Sequence, residues 1–139
     1  MAFLNNVNGK KLAILLISLV VYFFATDFLV HGVLMKSAYQ ATAPLWRTEV
    51  EIQSHIGSMM LGQFMMAIFT GLIFIHGYNG GGIVEGARFG VLMAGFATAP
   101  MFINYAVSPI PENIHWAWVG CGVAQFVGAG VISSLVYRR

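Results

Sequence analysis

The chain reads as an all-α integral membrane protein, a four-transmembrane-helix bundle with both termini in the cytoplasm. Three observations predict this. Hydrophobic residues make up 58% of the 139 positions and charged residues only 9%, against about 25% charged in ordinary soluble domains. Mean hydropathy is +0.78. The apolar residues also fall into four runs, each near the roughly 20 residues that cross a bilayer, with short breaks between them. At this length a single membrane domain over residues 1–139 is expected.

The first span covers residues 12–35, behind Lys10 and Lys11. Its apolar stretch exceeds the roughly 7 to 15 residues of a signal-peptide core, and no small-x-small cleavage site follows before Asp27, so a retained helix is expected. The second span covers residues 55–76. Thr48 and Glu51 stand at capping-box spacing, in which each side chain satisfies a free backbone N–H, so this helix should start a turn or two outside the bilayer. Asn79, Gly80, Gly81 and Gly82 break it. The third span covers residues 85–106 and contains Pro100, which should bend it because the ring removes a donor and crowds the preceding turn. Ser108, Pro109, Ile110 and Pro111 turn the chain into the fourth span, residues 113–137.

Flanking positive charge sets the expected orientation. Lys10 and Lys11 precede the first span, and Arg138 and Arg139 follow the last; both pairs favour the cytoplasm, which an even number of crossings permits. Arg88 agrees, whereas Lys36 and Arg47 in the 36–54 connection oppose it. A multi-pass protein of the inner (cytoplasmic) membrane is expected. Tyr39, Trp46, Trp116 and Trp118 suit the aromatic belt on the outer side. A net charge of +2 from scattered basic residues excludes nucleic acid as an expected partner. The single cysteine, Cys121, can form no internal disulfide.

Asp27 and His31 stand one helical turn apart inside the first apolar run. An intramembrane carboxylate costs about 2.5–3.5 kcal/mol on insertion scales, so something must offset it. At 1.5 Å per residue these groups lie about 22 and 28 Å along the helix from Leu12. His55 opens the second span and His115 the fourth at that same level, with Asn104 and Tyr105 closing the third. Imidazoles with one carboxylate suit zinc, copper or iron. Asp27, His31, His55 and His115 are therefore the expected metal ligands. Met59, one turn from His55, is a thioether that copper(I) would tolerate. The alternative is a hydrogen-bonded polar cluster that holds the bundle together. His76 lies at the opposite face.

A second pattern is steric. Gly86, Gly90 and Ala94 recur every four residues in the third span, as do Gly120, Ala124 and Gly128 in the fourth, and small residues at this spacing let membrane helices approach closely. Gln125 offers an interhelical hydrogen bond. Glu85 and Arg88 are spaced to pair.

The run Gly80 to Gly90, reading GGGIVEGARFG, followed by Pro100, Tyr105 and Pro109, resembles bacterial four-helix membrane proteins grouped as domains of unknown function. That resemblance implies a fold and carries over no site residue.

Three function classes follow. The leading one is a non-enzymatic membrane subunit or accessory protein packed in the lipid bilayer against other membrane subunits or its own copies. A second is an oligomeric solute or proton-coupled transporter with Asp27 as the titrating group. A third is a metal or haem binder serving an oxidoreductase, with His31, His55 and His115 as axial candidates. No nucleophile with a neighbouring base points to an enzyme.

Overall fold

The computed structural model describes residues 7–138, and Met1–Asn6 and Arg139 lie outside them. Among the described residues the regular structure is entirely helical. Four helices are long and apolar enough to cross a membrane: Gly9–Leu34, Ile56–Gly77, Gly82–Val107 and Glu112–Val136. The helices are named α1 (Gly9–Asp27), α2 (Lys36–Ala41), α3 (Glu49–Ser54), α4 (Ile56–Gly77), α5 (Gly82–Val107) and α6 (Glu112–Val136).

Neighbouring long helices run antiparallel, as side-chain contacts show. A methyl group added at Gly71 of α4 would meet Leu15, Leu16 and Leu19 of α1. Asp27 near the far end of α1 reaches Gln63 of α4 and Gln125 of α6. At the other end Lys11 Nζ donates to the Arg138 carbonyl, so the starts of α1 and the finish of α6 share one end of the bundle. The main core lies between α1, α4 and α6, around Leu15, Leu19, Phe23, Ala67, Phe74 and Phe126. Helix α5 is clamped to α6, and its Leu92 and Phe96 are 75% and 78% exposed. Such residues face the hydrocarbon when the bundle sits in a bilayer.

The α5–α6 contact is a backbone approach. A Cβ at Gly90 would stand 2.5 Å from the Phe126 carbonyl oxygen, and one at Gly86 would collide with the Gly130 carbonyl. Ala94 is buried in the same interface. The matching surface of α6 runs through Gly122, Phe126 and Gly130. Gly120 and Ala124 are exposed, and Gly128 faces Tyr22 of α1. The expected α6 stripe is thus displaced: a helix presents several faces, and spacing alone leaves open which one meets α5.

Three further departures from expectation have local causes. The first span does not finish as an α-helix; residues Phe28–Leu34 widen into a π-helical segment, closed by Met35 N donating to the Val30 carbonyl at 2.8 Å. The capping box forms as expected, with Glu51 N to Thr48 Oγ1 at 3.3 Å and Thr48 N to Glu51 Oε2 at 2.8 Å. The helix it starts nevertheless breaks at His55. There the Glu51 carbonyl is taken by Ser54 Oγ at 2.7 Å and His55 Nδ1 at 2.8 Å, while His55 N turns to Ile52. Finally, the 36–54 connection is helical, comprising α2, a 3₁₀ turn at Ala43–Leu45, and α3. It caps the bundle through a second apolar cluster of Met35, Ile110 and Ile114, flanked by Tyr39, Trp46 and Trp118.

The α4–α5 loop follows the glycine reading. Gly80 (φ +94°) and Gly82 (φ +66°) adopt left-handed backbone that favours glycine. The Glu85 carboxylate accepts from Asn79 N at 2.7 Å and Gly81 N at 2.5 Å, so it ties down this loop. Helix α5 continues through Pro100.

Candidate functional site

A polar node and an adjoining groove occupy the bundle end opposite the Lys11–Arg138 contact. The node is built on Asp27, the last α-helical residue of the first span. Gln125 Nε2 donates to Asp27 Oδ1 at 2.7 Å and to Thr26 Oγ1 at 2.6 Å, while Gln63 Nε2 donates to Asp27 Oδ2. Thr26 in turn donates to the Tyr22 carbonyl at 2.8 Å. Each carboxylate oxygen therefore accepts from an amide. This is what offsets the cost of an acid inside the span: two neutral amides from two other helices. Gln63 Oε1 is buried without a hydrogen-bond partner.

One turn beyond Asp27, His31 begins a second chain of hydrogen bonds. Trp118 Nε1 donates to Tyr39 Oη at 2.7 Å, and Tyr39 Oη lies 2.6 Å from His31 Nδ1. Burial pushes the Tyr39 phenol above its ordinary value, partly opposed by the Trp118 N–H, so the hydroxyl keeps its proton at neutral pH. Its other partner is the Met35 thioether at 3.5 Å, a weak acceptor. Tyr39 thus joins Trp118, His31 and Met35 at one point of the groove wall. Trp118 stands two turns, about 10 Å, before Gln125 on the same face of α6, which links the two chains through one helix.

The groove is an open cavity of about 620 Å³. Tyr39, Trp46 and Trp118 form its aromatic wall, with ring centroids 5.5 and 5.8 Å apart. His31, Lys36 and Arg47 line it, together with Glu49. Arg47 is held from outside the groove. His55 Nδ1 sits on the Glu51 carbonyl at 2.8 Å, which places the ring proton there and leaves Nε2 as an acceptor, 3.2 Å from Arg47 Nη1.

The expected ligand set is thus separated rather than gathered. Among the described residues no three His, Cys, Asp or Glu side chains form a metal-holding group. Asp27 binds amides, His31 binds Tyr39, and His55 binds Arg47 and backbone. His115 is buried against α5, stacked on Tyr105 at 4.3 Å and edge-on to Phe102 at 4.9 Å, with Nδ1 unpartnered. Met59 is 49% exposed. Sequence reasoning put these groups at one level along the membrane normal, but level leaves the azimuth of each helix open. Gln63, Lys36 and Arg47 are the site residues it did not single out as such. Gln63 stands four residues after Met59 in the second span, and that helical spacing is the available signal.

Comparison with protein-family models, curated proteins and solved structures finds no match for this chain.

Proposed function

We propose that this chain is a non-enzymatic multi-pass membrane protein that binds a small amphiphile in the groove beside α2. The observation that carries the reading is the groove itself: its 620 Å³ falls within the roughly 300–1,000 Å³ of small-molecule sites, which favour concave, aromatic-lined spaces between helices of a bundle. The Asp27 node supports it from below. A carboxylate held by two amides pins α1, α4 and α6 to one another directly beneath the groove, and binding sites work best on such rigid supports.

In this reading the protein resides in the inner membrane with both termini cytoplasmic, so the groove opens at the outer interface. Lys10, Lys11 and Arg138 at the opposite end support that orientation. The test is native mass spectrometry of protein extracted in mild detergent. A retained amphiphile at one per chain, lost on Tyr39→Ala, is expected; wild-type protein that never retains one would contradict the reading.

A subunit role in a larger assembly is the second reading, favoured by the open outward face of α5 around Leu92 and Phe96. Purification from native membranes tests it through partners that remain with wild type and leave on Phe96→Lys.

A further inference from the structure

The charge of the groove defines the ligand more narrowly, an inference that rests on the groove being a binding site. Lys36 and Arg47 face it against a single carboxylate, Glu49, so the lining is net positive. Among the described residues neither cation is ion-paired. Arg47 Nη1 lies 3.2 Å from His55 Nε2, which orients the guanidinium, and the Arg47 charge also acts on the Glu51 carboxylate outside the groove lining. His31, held through Nδ1 against Tyr39, lines the groove beside them.

We propose that the groove binds a membrane lipid through an anionic phosphate headgroup, with Lys36 and Arg47 as the headgroup donors and the aromatic wall against the glycerol and upper chain. A guanidinium fork and an ammonium suit phosphate oxygens, and Tyr and Trp rings belong at the headgroup level of a bilayer. The lipid, rather than a water-soluble phosphate, is argued from the surroundings. Ile52 of α3 lines the groove and is exposed, and exposed Leu29, Val33 and Leu34 flank the lining residues His31 and Gly32 in sequence on the first span, which gives acyl chains an apolar path.

The test uses wild-type protein in a neutral detergent, titrated with three probes: short-chain phosphatidylglycerol, short-chain phosphatidylcholine and glycerol 3-phosphate, read by tryptophan fluorescence. The expected result is about tenfold tighter binding of phosphatidylglycerol than of phosphatidylcholine at low salt, with glycerol 3-phosphate weaker still. Lys36→Gln with Arg47→Gln should abolish the preference, and Lys36→Arg with Arg47→Lys should restore most of it, which separates charge from fold. Equal affinity for the two lipids would overturn the headgroup assignment while leaving an amphiphile site intact. Glycerol 3-phosphate binding as tightly as phosphatidylglycerol would make the ligand a free phosphate and overturn the lipid. No binding of any probe would remove the groove as a site altogether.

Discussion

Gln125 Nε2 lies 2.7 Å from Asp27 Oδ1, joining residues 98 positions apart across two helices. With Gln63 on the other oxygen, this bond makes the half-buried acid a three-helix clamp. It follows that removing the acid costs more than removing the whole network.

Asp27→Ala should leave Gln63 Nε2 without an acceptor and Gln125 Nε2 with Thr26 Oγ1 alone, at about 1–3 kcal/mol for a buried unsatisfied group, reduced toward about 0.6–1.7 where a membrane reference state finds partners. Replacing Asp27, Gln63 and Gln125 together by Leu should recover much of that loss, because no polar group is then orphaned. Thermal unfolding in detergent measures both. A triple variant less stable than Asp27→Ala would show that the node does more than satisfy itself.

Gly90→Leu should separate α5 from α6. Its Cβ would press on the Phe126 carbonyl, which is backbone and cannot rotate away, and overpacking of this kind costs about 1–3 kcal/mol or more. Gly95→Ala is the control, since no atom outside its own helix turn lies within 4 Å of the added carbon. That change should be neutral or slightly stabilising, as Ala outranks Gly in helices. Comparable losses in the two variants would contradict the close approach.

His115→Phe should raise stability by about 1 kcal/mol, because it removes an unpartnered buried nitrogen and keeps a ring against Tyr105 and Phe102. Unfolding midpoints compare the two proteins. A marked loss would mean that Nδ1 has a partner when the protein sits in its membrane.

Acid should loosen the start of α3. Hydrogen bonds from the Thr48 backbone and hydroxyl hold the Glu51 carboxyl below its ordinary range. A depressed carboxylate contributes stability above its unfolded value of about 4.3 and loses it as pH falls through the folded value. Hydrogen exchange of the α3 amides should accelerate across that acid window. Glu51→Gln retains an acceptor for Thr48 N and should flatten the dependence; an unchanged pH profile in that variant would contradict the assignment.

The long elements were legible because each rests on a local signal. Four apolar runs, the Thr48–Glu51 box and the glycines at 80–82 all act within a few residues of themselves. The node was half legible: Asp27 demanded a partner and Gln125 was a candidate, but which amides reach it depends on how three helices are rotated. The separation of the histidines has the same origin. His55 satisfies nearby backbone and His115 turns toward α5, outcomes that axial position alone does not determine. The π-helical widening before Met35 and the helical cap over residues 36–54 carried no periodic signal, being stabilised by packing on Ile110, Ile114 and Trp118.

The central claim is that the groove beside α2 holds an amphiphile, and tryptophan quenching by a lipid with brominated acyl chains tests it most directly. Trp118 lines the groove, whereas Trp116 packs on Phe102 outside it and is 55% exposed. Two proteins are compared, one retaining only Trp118 (Trp46→Phe, Trp116→Phe) and one retaining only Trp116 (Trp46→Phe, Trp118→Phe). The account predicts saturable quenching of Trp118 and a non-saturating, partition-like decline for Trp116. Identical non-saturating curves for both would contradict it.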